Sequence, residues 1–387
     1  MVKRIASIAI VLVALGLAGF FLFAPGMAER SMNQVVGTEA KVSPQAEALH
    51  RTLTIADLHG DTLLWQRDML ERASRGHIDL PRLIDGNVAL QVFSSVSQTP
   101  RGQNYARNEA TDTLWLLAIG QQQPIRTWFS PLERTLWHGV KLDRAAAGSE
   151  GRIRLIRTRG DLATLLDERQ RGLPRTGALF SVEGLHNLEG DFANLDRLYD
   201  AGVRMAGLTH FFDNEIAGSM HGVAKGGLTP LGRRVVREME RRGMVIDIAH
   251  CSHACVAEVL AMATRPVVSS HGGVQATCRE NRNLSDDEIR GVARTGGVIG
   301  VGVWDAAVCG TDPVHTARAM RHIRDLVGID HVGLGTDFDG AVTAGYDVSR
   351  IALITSALID EGFTEEEIRK AMGGNVLRVL GQVLPER

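Results

Sequence analysis

The chain has 387 residues, 44% of them hydrophobic and 23% charged, with a formal net charge of −2. That balance suits a globular protein with a sizeable core and excludes general disorder. There is no basic tract and no interleaving of aromatic residues with Lys and Arg, so the electrostatic footprint of a nucleic-acid binder is missing.

At the amino terminus Lys3 and Arg4 precede an apolar run from Ile5 to Ala24 that ends at Pro25 and Gly26. The run is long enough to cross a bilayer. It exceeds the roughly 7–15 apolar residues of a cleavable leader, although Gly26-Met27-Ala28 offers a small-x-small cleavage site. The reading is a membrane anchor over 1–28, with secretion after cleavage as the alternative. Positive charge before the span puts the body of the chain outside the cytoplasm. A polar linker over 29–45 and one domain over 46–387 follow.

Past the linker, short apolar or β-branched runs alternate with amphipathic helical stretches. Eight runs are expected as strands: LTIAD ending at Asp57, VALQVFSS from Val88, ALFSVE ending at Glu183, RMAGLTH ending at His210, MVIDIAH ending at His250, PVVSSH ending at His271, GVIGVGV from Gly297 and HVGLGTD ending at Asp337. The clearest helix starts at Thr229 as N-cap with Pro230 in its first turn and stops at Gly243. Near the C-terminus Thr364 and Glu367 form a capping-box pair. Strict alternation predicts a parallel sheet, and eight units predict closure into an α/β barrel of the (β/α)8 TIM type. An open doubly wound sheet is the alternative, but no GxGxxG follows the first strand. The connection from about Thr99 to Gly177 is unusually long and reads as an insertion after strand two, with a helix expected at ARNEATDTLWLLAIGQQQ.

His59, Asp61, Glu183, His250 and His271 all fall at ends of these runs. Imidazole and carboxylate are the donors Zn²⁺ takes when one position stays open for water, and a carboxylate such as Glu183 can bridge two ions. Taken singly, each histidine is equally well read as core or surface; recurrence at strand ends singles these out. His50, His77, His138, His315, His322 and His331 lack that setting. His221 reads as a solvated loop residue and Asp339 as a turn former. Cys251, Cys255, Cys278 and Cys309 form no CxxC pair, and the sequence leaves their bridging open.

The stretches DLHGDT, GHIDLPRL, VEGLHNLEGDFANLDRLYDAGVRMAGLTH, GLTPLGRRVVREMERRGMVIDIAH, SHGG with ENRN, and GLGTDFDG, in that order, resemble the membrane dipeptidase (renal dipeptidase) family, the M19 zinc peptidases within the amidohydrolase-like barrels. The resemblance covers roughly His50 to the C-terminus. It implies a dipeptidase with two zinc ions: His59 and Asp61 on one, His250 and His271 on the other, and Glu183 as bridge. It also implies substrate contacts by His210, Arg282 and Asp337, and makes a homodimer plausible. Leu58, Gly60, Leu185, Gly272 and Gly273 depart from the family's usual residues beside the ligands, which bears on substrate fit more than on metal binding.

The expected chemistry is attack of a metal-bridging hydroxide on the amide carbonyl. His210 would stabilise the oxyanion, Arg282 would fork onto the substrate carboxylate, and Asp337 would hold the ammonium or carry the proton to the leaving nitrogen. Two readings compete: a binuclear hydrolase of another amide, lactam or ester, and an inactive membrane-tethered scaffold.

Overall fold

Strand pairing closes on itself. In the computed structural model, which describes residues 2–386, the barrel strands are β1 Ile55–Asp57, β2 Val88–Val96, β3 Thr176–Glu183, β4 Val203–Gly207, β5 Val245–Asp247, β6 Val268–Ser269, β7 Val298–Val301 and β8 Val332–Leu334. Each pairs in parallel with the next, and Leu334 of β8 pairs back onto Asp57 of β1. The longest ladder runs from Leu90 opposite Gly177 to Val96 opposite Glu183. The expected (β/α)8 barrel is therefore the fold.

Neighbouring residues on a strand serve different cores, as the pleat requires. Ala56, Leu179, Met205, Val245 and Val298 cluster with Val376, Val379 and Leu380 of the C-terminal helix Asn375–Val383. Ile55, Phe180, Ala206, Ile246 and Ile299 pack in the larger cluster with the surrounding helices. Glycine is needed where β6, β7 and β8 converge: a Cβ on Gly300 or Gly335 would lie 2.1 or 1.8 Å from the Ser270 carbonyl oxygen.

The expected helix occupies Pro230–Arg242, capped by the Thr229 side chain and ended by Gly243 at φ 72°. The Thr364–Glu367 capping box forms, but Glu365–Arg369 then passes through a wide turn at Lys370–Gly374 before Asn375. Two expectations need correction. Within ARNEATDTLWLLAIGQQQ only Leu114–Gly120 is helical, because Asn108 bonds through its backbone and side chain to the His221 carbonyl and holds the preceding stretch as a loop. Regular pairing also stops at Gly207, Asp247, Ser269 and Leu334, short of His210, His250, His271 and Asp337. The chain has to leave the ladder to turn those side chains over the mouth, and His250 (φ 64°) and Asp337 (φ 59°) do so with left-handed backbone.

Between β2 and β3 the insertion holds an edge strand, Ile153–Leu155, and the helices Leu114–Gly120, Pro131–Gly148 and Arg159–Gln170. The N-terminal helix spans Val2–Met32, continuing through Pro25. With a mean hydropathy of 2.7 in its most apolar window it is long and apolar enough to cross a membrane. Directly after it, Gln34–Val35 pairs with Thr343–Ala344, beyond β8.

Candidate metal centre

Two buried carboxylates at strand ends set the site's geometry. Asp57, the last residue of β1, accepts from the Thr336 backbone N–H (2.9 Å) and hydroxyl (2.6 Å), from Gln91 Nε2 (3.1 Å) and from the His59 N–H (3.3 Å). It thereby ties β1 to β2 and to the loop after β8. Asp61 is held to that loop by its own N–H, which donates to the Phe338 carbonyl at 2.9 Å. Asp247, ending β5, accepts from the N–H groups of Ala249 (3.0 Å) and Ser270 (2.8 Å) and from the Ser270 hydroxyl (2.6 Å).

Ser270 has one hydroxyl hydrogen, and it goes to Asp247. Its oxygen must then accept from Nδ1 of His271, 2.9 Å away, which leaves the Nε2 lone pair of His271 facing the centre. His59 Nδ1 lies 3.3 Å from the same hydroxyl. Asp57, Asp247 and Ser270 were not singled out from the sequence, although each sits within three residues of a predicted ligand.

All eight predicted site residues gather at the C-terminal mouth of the barrel. One oxygen of Glu183 lies 3.0 Å from His250 Nε2, 3.3 Å from His271 Nε2 and 3.7 Å from His59 Nε2, and the other lies 3.4 Å from His210 Nε2. His59 Nε2 is 3.3 Å from Asp61. Three groups have donor atoms within 4.8 Å of one another: His59, Glu183 and His271; Glu183, His210 and His250; and His59, Asp61 and Asp337. Burial by itself would raise the Glu183 carboxyl, but the surrounding imidazoles of His210, His59, His250 and His271 outweigh it and hold Glu183 well below the usual range. Burial pushes His250 and His271 well down, into the neutral form that offers a lone pair. Burial and the adjacent Asp61 and Glu183 carboxylates push Asp337 well up, although His59 and Arg282 pull the other way.

These donors fit a pair of divalent cations. Among the described residues His59 Nε2 and Asp61 Oδ1 are buried with no hydrogen-bond partner, an arrangement costly for a protein unless something else is bound there. His250 Nε2 and His271 Nε2 stand 3.0 Å apart, two imidazole nitrogens converging on one point. Three carboxylates, Asp61, Glu183 and Asp337, crowd the same mouth, a charge that cations would offset.

Arg282 is buried over the Trp304 ring, 4.7 Å from its centroid. Among the described residues it forms no ion pair; Asp286 pairs with His322 and Asp287 with Arg290. Its loop is fixed by the Cys278–Cys309 disulfide and by Asn283, which donates to the Cys278 and Ala307 carbonyls. Cys251 and Cys255 are free and buried. His221 is not solvated as expected: it is fully buried, its Nδ1 bonds the Tyr105 carbonyl at 2.9 Å, and its ring stacks on Phe211. Flanking glycine and polar residues concealed that the loop folds inward. Asp339 is structural, as expected, accepting from Thr62, from the His77 N–H and from Arg67. A cavity of about 610 Å³, mid-range for small-molecule sites, opens onto Asp61, Glu183, His210, Arg282 and Asp337.

Residues 43–385 match the family described as membrane dipeptidase (peptidase family M19). Dipeptidase aclJ of Aspergillus oryzae is 29% identical over 366 residues, covering 88% of this chain and 80% of its own. Dipeptidase verJ of Clonostachys rogersoniana is 34% identical over 314 residues, covering 79% and 76%. In fold the chain is similar to the probable dipeptidase PvdM of Pseudomonas aeruginosa, with a TM-score of 0.73 at 22% identity, covering 88% of this chain and 98% of that one. It is likewise similar to a Rhodobacter sphaeroides metallo peptidase liganded with a phosphinate mimic of L-Ala-D-Ala, with a TM-score of 0.70 at 22% identity, covering 86% and 99%.

Proposed function

The chain belongs to the membrane dipeptidase family, peptidase family M19, and from that footing we propose which of its residues hold the metals, grip the substrate and carry the proton. It is a dipeptidase-type metallohydrolase with a binuclear zinc arrangement that shares Glu183. His59 and Asp61 would hold one zinc and His250 and His271 the other, with Glu183 shared between them. The observation that carries this assignment is the convergence of three imidazole nitrogens on one Glu183 oxygen at 3.0–3.7 Å.

Bound zinc supplies a water acidic enough to be a nucleophile near neutral pH, with a pKa of about 7. The remaining work belongs to the chain. Arg282, buried and without an acidic partner among the described residues, receives the substrate carboxylate on its planar fork. Asp337 takes the ammonium end as a carboxylate, accepts the proton given up by the attacking water and passes it to the leaving nitrogen. His210 faces the carbonyl oxygen. Its Nδ1 donates to the Gln98 carbonyl at 2.8 Å, which fixes the ring with Nε2 turned toward the centre, 3.4 Å from Glu183. A pocket that must satisfy both a free ammonium and a free carboxylate selects dipeptides over longer chains. The L-Ala-D-Ala mimic in the Rhodobacter sphaeroides enzyme supports acceptance of a D residue at the carboxyl end.

The N-terminal helix anchors the protein with its catalytic domain outside the cytoplasm. Lys3 and Arg4 before the span and the Cys278–Cys309 disulfide both support that orientation. The test is zinc content and hydrolysis of Gly-Leu and L-Ala-D-Ala by the full-length protein in detergent, with Glu183→Gln alongside. Two zinc ions with turnover, and loss of turnover and at least half the zinc in the variant, are expected. Two zinc ions without cleavage of any L,L or L,D dipeptide would overturn the substrate assignment.

A further inference from the structure

The outer end of the N-terminal helix is built into the catalytic face of the barrel. Glu29 is buried, with its two oxygens 2.5 Å from Arg67 Nε and 2.6 Å from Arg75 Nε. Arg67 also pairs with Asp339, two residues beyond Asp337. Asn33 Oδ1 accepts from the Ala341 N–H at 2.8 Å, and the Gln34 N–H donates to the Val342 carbonyl at 3.2 Å. A buried charge with this many partners fixes the helix end to the loop after β8 rather than tethering it flexibly.

Facing the site is an apolar stripe at helical spacing. Phe20, Ala24, Ala28 and Met32 recur every fourth residue, and with Pro25 they line the same cavity as Asp61, Glu183, His210, Arg282 and Asp337. Leu114 and Leu117 of the inserted helix continue that wall. The two helices touch: a Cβ on Gly120 would lie 3.4 Å from Pro25 Cγ and 3.7 Å from Phe20 Cζ. Phe20 and Ala24 belong to the apolar span itself, so the span reaches the cavity with no spacer.

We propose that the end of the membrane helix is a wall of the substrate cavity, so that the working enzyme keeps it uncleaved and prefers dipeptides with a bulky apolar side chain, taken up at the bilayer surface. This rests on the dipeptidase reading above. The charged groups answer the substrate's two ends, while the stripe offers no hydrogen bond and rewards only apolar surface. Burying a Leu or Phe side chain there instead of leaving the space wet favours it over Gly by about tenfold or more.

The experiment uses full-length protein in lipid nanodiscs and reads the ratio of kcat/KM for Ala-Phe to that for Gly-Gly, with zinc content and the N-terminal mass of the membrane-isolated protein. Ala28→Trp, which fills the cavity, is expected to lower the ratio about tenfold, and Phe20→Ala, which removes contact without adding bulk, about threefold. Met27→Trp, on the exposed side of the same helix, should leave the ratio at the wild-type value. Ratios within twofold of wild type for both cavity variants at normal zinc content, or a fully active mature protein starting at Glu29, would overturn the proposal. Should the wild type cleave no dipeptide, the functional reading fails instead. The N-terminus then judges the wall: retention supports it and cleavage after Ala28 overturns it.

Discussion

Replacing Asp57 separates a carboxylate that positions the metal ligands from one that merely fills the barrel. In Asp57→Ala the backbone N–H groups of His59 and Thr336 lose their acceptor in a fully buried setting. Gln91 keeps its bond to the Val92 carbonyl, and the Thr336 hydroxyl lies 3.4 Å from the His59 carbonyl, so those two groups retain partners. Two orphaned donors at about 1–3 kcal/mol each, less the relief of no longer burying a carboxylate, give a loss of about 3 kcal/mol. Because His59 and Asp61 hang from the same backbone, zinc affinity should fall about 10–100-fold. In Asp57→Asn the side-chain oxygen still accepts from both backbone groups, so the loss should be about 1 kcal/mol with zinc affinity nearly kept. Denaturant unfolding of the detergent-solubilised protein and chelator competition for zinc measure the two quantities. If Asp57→Ala loses stability yet holds zinc within threefold of wild type, the positioning role is wrong and Asp57 only packs.

Arg282→Lys should lower kcat/KM about 10–100-fold on free dipeptides, through loss of the bidentate fork to a carboxylate. It should matter little for dipeptides amidated at the carboxyl end; an equal loss on both would move Arg282 away from carboxylate recognition. A second expectation concerns pH and His138, buried beside Ser95 (2.8 Å) and held well below its ordinary value by burial and then by Lys141 and Arg134. Its folded pKa is depressed, so its contribution is complete above the unfolded value near 6.5 and is lost as pH falls, when only the unfolded chain takes up the proton. Between pH 7.5 and 5.5 that amounts to about 1.4 kcal/mol. In His138→Gln the difference in unfolding free energy between those two pH values should shrink by about this much, and an unchanged difference would mean that His138 protonates in the fold.

Much of this architecture is local and therefore written in the sequence. Apolar runs buried on both faces mark the barrel strands in order, and Thr229, Pro230 and Gly243 bound a helix because capping satisfies backbone groups within one turn. The ligand types at strand ends follow from the barrel, whose loops converge at one mouth. What tertiary structure decided is what depends on residues far apart in the chain. The bond between Asp57 and Thr336 joins positions 279 residues apart, and the proton order through Ser270 exists only once β5 and β6 lie side by side. The Cys278–Cys309 bridge and the burial of His221 against Phe211 also follow from loops meeting above the barrel, which no periodicity records. The same holds at the amino terminus. Hydropathy marks a span ending at Ala24, but only the ion pairs of Glu29 with Arg67 and Arg75 place its end against the catalytic mouth, because a helix's apolar length says nothing about which surface its last turns meet.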